Sequence, residues 1–344
     1  MKKIMKKSIN AYDVAKKAGV SQSTVSRVLN DYQFIKKETK EKVLQAIEDL
    51  EFTRDEIARS LANRETRTIG LIVGDITNAF FAESAKVITR IAQENDYNVI
   101  LCNTNHDEES LVQYIDSLKG KRVDGIIIAG ADKDNKKIIE LFDQHFPVIL
   151  YNSIIEHDKA NYVAVNNYQG ARLAVEHLYE LGHRDIGYIA GPEKYVTTHL
   201  RNIGFKSALA NYNLILNPNF VYTDEFLYEK VYAFTKKLLR QPERPSCLFV
   251  ASDQMAFAVL DAASSENIEI PSQLSVIGFD NISLAGNSYI GLSTVAQPMK
   301  KMARLALENL IVIMERKSNK EVSTVPVQIV LDAEVFSRKT TGVR

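Results

Sequence analysis

The chain of 344 residues has no tryptophan, only two cysteines and no excess charge of either sign. Cys102 and Cys247 lie far apart, so neither a disulfide framework nor a cysteine-rich zinc site can be read from them. No uninterrupted apolar run reaches 18 residues, and the lysine-rich start MKKIMKKSIN is not followed by an apolar stretch. A membrane span and a secretory signal are therefore unexpected, and a cytoplasmic location is expected. The sequence contains neither G-x-G-x-x-G after its first strand nor G-x-x-x-x-G-K-[ST], H-E-x-x-H or G-x-S-x-G, and its six histidines are scattered. No enzyme activity, cofactor or metal is expected. What is present is ordinary globular composition, with 45% hydrophobic and 25% charged residues, which excludes a mainly disordered, collagen-like or coiled-coil chain. The length exceeds the usual single-domain range of about 100–200 residues, so two or more folding units are expected.

The zero net charge hides an asymmetry. Residues 1–67 hold 15 basic and 10 acidic side chains, a net of +5, and residues 1–47 alone hold 11 and 4, a net of +7. A basic head on an acidic body points to an anionic partner for the head. Residues 10–18 carry Val14, Ala15 and Ala18 at helical spacing, followed by Gly19, which suits a sharp left-handed turn. Ser21 is a candidate N-cap for a second helix, 22–30, with Val25, Val28 and Leu29 inward and Gln22, Ser23, Ser26 and Arg27 outward. A third helix is expected over 37–50, buried through Val43, Leu44, Ile47 and Leu50. Two helices joined by a tight turn, with hydroxyls opening the second, suit entry into a major groove. Hydroxyls and helix N-terminal amides hold phosphates, while Gln and Arg reach base edges.

The stretches Tyr12-Asp13-Val14-Ala15, Ala18-Gly19-Val20-Ser21 and Thr24-Val25-Ser26-Arg27-Val28-Leu29-Asn30 resemble the head of the LacI/GalR family of bacterial transcription regulators. Later marks of the same resemblance run to the C-terminal region: Gly182-His183, Ala190-Gly191, Arg201, Gly204-Phe205, Asp253-Gln254-Met255-Ala256, Gly278-Phe279-Asp280 and Gln297-Pro298. The resemblance implies that Gln22 and Ser23 read bases, with Arg27 beside them. It also implies that Tyr12, Ser21, Thr24, Ser26, Asn30 and Thr39 contact the DNA backbone or position the helices. Residues 54–63, RDEIARSLAN, read as a helix too short to be stable alone. By resemblance it is a hinge that enters the minor groove, with Leu61 levered between base pairs and Ala62 packed close. The family's usual Pro-Asn start is replaced here by Arg54-Asp55.

The rest reads as repeated β-α units, beginning with the strand Thr68-IGLIV and restarting after the helix near Ala171. The expected fold is an all-α helix-turn-helix head (8–53) with a hinge helix and linker (54–66), joined to an α/β body like the periplasmic binding proteins (67–344). The body has two doubly wound subdomains, 67–164 plus 296–324 and 165–295 plus 325–344, with a last crossing near Val325. Ligands of open α/β sheets sit beyond the C-terminal strand ends. Asn78, Asn152, Arg201, Asp253 and Asp280 lie at or just after such ends, and Phe81 and Phe226 can cover an apolar ring face. The resemblance assigns Asn152, Arg201 and Asp280 to effector contacts and both phenylalanines to the wall. The expected function is a DNA-binding repressor acting as a homodimer on palindromic operator DNA, controlled by a small-molecule effector of the sugar class. A corepressed or global carbon-catabolite regulator is the alternative. A sugar-binding transport receptor is a weaker one, since it has no use for the basic head.

Overall fold

The computed structural model describes residues 9–29, 32, 34–50, 52, 65–319 and 325–344. The chain divides into two compact units, Met1–Thr66 and Arg67–Arg344.

In the first unit, α1 (Ala11–Ala18) opens with a reciprocal cap. The Asn10 side chain accepts from the Tyr12 and Asp13 amides at 2.9 and 3.2 Å, and the Asp13 carboxylate accepts from the Asn10 amide at 3.0 Å. Gly19 ends it at φ 67°, a left-handed conformation that a side chain would strain. After that turn come α2 (Gln22–Leu29) and α3 (Lys37–Asp49). Val14, Ala15, Val25, Val28, Val43 and Ala46 form the shared core. Leu44, expected inside, is instead 48% exposed. The buried stripe of α3 follows 43, 46, 47 and 50, and Leu44 lies one residue, or about 100°, off that line. The expected hinge helix falls outside the described residues.

The second unit has two six-stranded sheets among the described residues. The first half runs β1 (Thr68–Val73), α4 (Ala79–Glu94), β2 (Asn98–Asn103), α5 (Glu108–Gly120), β3 (Gly125–Ala129), α6 (Lys136–Asp143), β4 (Val148–Tyr151) and β5 (Tyr162–Val165). The second half runs α7 (Asn167–Glu180), β6 (Ile186–Ile189), α8 (Val196–Asn211), β7 (Val221–Tyr222), α9 (Tyr228–Leu239), β8 (Cys247–Val250), α10 (Asp253–Ser265), β9 (Ser275–Asp280) and β10 (Ser293–Ala296). The chain then returns through α11 (Met299–Ser318) and β11 (Gln328–Leu331) to the first sheet, and ends with β12 (Glu334–Phe336) in the second. The strand orders are β11-β5-β4-β3-β1-β2 and β12-β10-β9-β8-β6-β7, parallel throughout except for β12 against β10. Helices cover both faces, which is why the strands are apolar without alternation. In β3, Ile127 and Ala129 enter one core cluster while Ile126 and Ile128 enter another.

The expectation that residues 325–344 all belong to the second half is corrected. Gln328–Leu331 pairs in parallel with Tyr162–Val165, the edge of the first sheet, so the last crossing falls between Leu331 and Glu334. Which sheet an edge strand joins is settled by its partner, and no local pattern encodes that.

Candidate DNA-reading face and effector cleft

On α2 the apolar and polar positions separate cleanly. Val25 and Val28 are buried, while Gln22, Ser23, Ser26 and Arg27 are exposed on the other side. The Ser21 hydroxyl accepts from the Thr24 amide at 3.2 Å and lies 2.8 Å from both the Ser23 and Thr24 hydroxyls. The start of α2 is thus a hydroxyl-rich N-terminus, which suits a phosphate. The Arg27 guanidinium carbon lies 5.6 Å from the Tyr32 ring centroid, so the charge is held outside the core. Tyr12 is exposed in the first turn of α1, and Thr39 is half-buried in the first turn of α3. Asn30, Leu61 and Ala62 lie outside the described residues.

In the second unit a cavity of about 770 Å³ opens between the two halves at the C-terminal ends of the parallel strands. Asn78, Phe81 and Asn152 line it from the first half, and Arg201, Phe226 and Asp280 from the second. Asn78 also caps α4, accepting from the Phe80 amide at 3.0 Å. Asn152, with φ at 49°, is buried, and its Oδ1 has no protein partner.

Arg201 is pinned from several sides. Its Nε donates to Asn167 Oδ1 at 2.8 Å and its Nη1 to the Ala251 carbonyl. Nη2 lies 3.9 Å from Asp280 Oδ1, and the guanidinium carbon sits 3.7 Å from the Phe279 ring centroid. Asp280 accepts from Gln297 Nε2 at 2.7 Å. Burial pushes its carboxyl up to about 6, against the pull of Arg201 and Gln297. Phe226 rests on Gly191, where a Cβ would fall inside the ring's van der Waals envelope.

Asp253 does not join the other expected effector residues. It is fully buried, with Oδ1 accepting from the Thr294 hydroxyl at 2.6 Å and Oδ2 from the Ile282 amide at 2.9 Å. Burial, then the neighbouring Asp280, raises its carboxyl well above the usual range. Its role is to tie the second half's strand ends together.

The rims of the cleft touch. Asp132 and Tyr195 form an antiparallel bridge, Lys194 Nζ lies 3.3 Å from Asp132, and the Ser283 amide donates to Glu83 at 2.9 Å.

Residues 10–55 match the family described as bacterial regulatory proteins, lacI family, and residues 175–341 match the periplasmic binding protein-like domain. Catabolite control protein A of Priestia megaterium is 33% identical over 90% of this chain and 94% of that protein. The ribose operon repressor of Haemophilus influenzae is 36% identical over 87% and 90%, respectively. The chain belongs to the LacI family. It is accordingly a DNA-binding transcription regulator built from a helix-turn-helix head and a two-half body. In fold it matches the Lac repressor dimer bound to operator and the anti-inducer ONPF, with a TM-score of 0.86 over 98% of this chain and 100% of that one, at 24% identity. Among the described residues of this LacI-family chain, no helix is long and apolar enough to cross a membrane.

Reading the sequence missed several cleft residues, chiefly His106, Tyr195, Thr197 and Thr198. The His106 ring lies 5.5 Å from Tyr195 and 5.8 Å from Phe226, so a side chain of the first half packs against aromatics of the second. Burial holds His106 below its usual range. Its position just beyond β2 was a usable signal, equivalent to that of Asn78 beyond β1.

Proposed function

We propose that this regulator is a repressor that binds a palindromic operator as a homodimer, and that a sugar or sugar derivative in the cleft controls its DNA affinity. The observation that carries this is the cavity itself. Six of the seven expected effector residues surround it, combining acceptors (Asn152, Asp280), a fixed donor (Arg201) and two aromatic faces (Phe81, Phe226). A ring with hydroxyls on its edge and C–H groups on its faces uses both kinds of wall. Because both halves contribute, a ligand held there favours one arrangement of the halves over others, a population shift that residues 54–66 would pass to the head. A palindrome needs two recognition helices related by a two-fold axis, hence a dimer, and we assign the pairing surface to α4 with its neighbours.

The similarity to catabolite control protein A favours a second reading, a catabolite regulator; we take that reading to mean that the bound molecule strengthens rather than weakens DNA binding. One experiment separates these. An operator is selected from random palindromes, and its affinity is measured with and without sugars, sugar phosphates and purine bases. Loss of affinity with a sugar fits the induced repressor, and a gain fits the catabolite regulator. No specific operator, or no response to any small molecule, removes the proposal.

A further inference from the structure

We infer that the effector is an uncharged, hydroxyl-rich ring and that the cleft excludes its phosphorylated counterpart. This rests on the sugar assignment above and narrows it.

Among the described residues lining the cavity, the fixed cations are Arg201 and Lys194. Both charges are already balanced. Arg201 faces Asp280 at 3.9 Å and Lys194 lies 3.3 Å from Asp132, so each can still donate to a neutral hydroxyl, as the Nη2 of Arg201 can, but neither offers an unbalanced positive charge. His106 adds no charge at neutral pH, since burial lowers its proton affinity. Against these stand the lining carboxylates Asp75, Glu225, Glu229 and Asp280, of which Glu225 is paired with Lys230 at 2.9 Å. A phosphate dianion would meet an excess of negative charge. To gain a cation it would have to draw Arg201 from Asp280, leaving a buried carboxylate uncompensated, or draw Lys194 from Asp132 and leave that carboxylate beside it. The element best suited to an anion is the first turn of α8, where no side chain caps the helix and Thr197 and Thr198 face the cavity. The lysine beside that turn is the one Asp132 neutralises.

The unmet demand runs the other way. Asn152 Oδ1 is a buried acceptor without a protein partner, on a residue only 8% exposed. Asp280 can accept more than the bond from Gln297. A hydroxyl donates to both, whereas a phosphate oxygen at neutral pH mainly accepts.

The test is calorimetric titration of the full-length protein with D-ribose, D-glucose and D-fructose, each beside its phosphate, together with D-xylose, cellobiose and adenine. The expected result is binding of a free sugar, with its phosphate at least tenfold weaker. Asp280→Asn, which removes the buried carboxylate, should shrink that gap. Equal or tighter binding of the phosphate overturns the inference and leaves the sugar assignment standing. An undiminished gap in a folded D280N protein overturns the assignment of exclusion to this network. A chain that binds no sugar of either kind, with or without adenine binding, overturns both.

Discussion

Gly204→Ala probes the contact that holds the cleft's arginine in place. Gly204 lies one turn after Arg201 on α8, where that helix crosses α7. A Cβ there would sit 3.0 Å from the Tyr168 carbonyl carbon and 3.1 Å from Ala171 Cβ, and closer still to the Tyr168 carbonyl oxygen. Backbone cannot swing aside as a flexible side chain can, so the helices must part by roughly 1 Å. Overpacking of this kind costs about 1–3 kcal/mol. The same crossing carries the 2.8 Å bond from Arg201 Nε to Asn167, and stretching it forfeits about 1.5–3 kcal/mol for a hydrogen bond to a charged group. Alanine's better helix propensity returns about 1 kcal/mol. The expected net is a loss of about 1.5–5 kcal/mol, read as a fall of roughly 3–15 °C in the body's melting temperature. Effector response should weaken with it. A melting temperature equal to or above the parent's would mean that helix propensity wins, and would refute the close crossing of α7 and α8.

Other outcomes follow from the same structure. Arg27→Ala should weaken specific operator binding at least tenfold with an unchanged melting curve, because the side chain is exposed on the side of α2 proposed to face the groove. Asp253→Asn should be tolerated better than Asp253→Ala, since burial already favours the uncharged carboxyl, and the amide keeps an acceptor oxygen for the Ile282 amide while its NH2 can donate to the Thr294 hydroxyl, which reverses its role. The alanine change leaves both donors unpaired, at about 1–3 kcal/mol each, which chemical denaturation measures. His177 and His183 hold the C-terminal segment through Thr341 and Gly342, and burial lowers both below 6.5. The folded state prefers them neutral, so their stabilisation is full above about 6.5 and is lost as pH falls through that value. Melting curves from pH 8 to 5.5 should show a steeper loss in the parent than in a His177→Gln, His183→Gln double variant.

The head was legible from sequence because its signals are local. A cap, a left-handed glycine and apolar residues three and four apart decide three short helices, and only Leu44, at the margin of its stripe, was misplaced. The strand-helix repeat was equally plain, since buried parallel strands are continuous apolar runs. The half to which Gln328–Leu331 belongs was not legible, because its partner β5 lies more than 160 residues away in the chain. The cleft was readable to the extent that strand ends mark it. That rule brought in Asn78, Asn152, Arg201 and Asp280, although Arg201 lies in the second turn of α8 rather than at the end of β6, and it also brought in Asp253, whose carboxylate turns inward beneath Gly278, at a position where a Cβ would collide with it. The same rule, applied only to amides, acids and arginine, passed over His106. Phe226 is named for its apolar ring face, with the family resemblance in support, and the bare backbone of Gly191 supplies the physical reason for its place.

In the proposed function, a ligand held by Arg201 and Asp280 controls DNA binding by the head. Operator affinity of the parent and of Arg201→Ala, each with and without a saturating concentration of the sugar that binds the parent, tests it most directly. The expected result is a change of at least tenfold in the parent and less than twofold in the variant, with matching affinities when no sugar is present. A variant that responds to the sugar as fully as the parent would contradict the placement of the effector in this cleft.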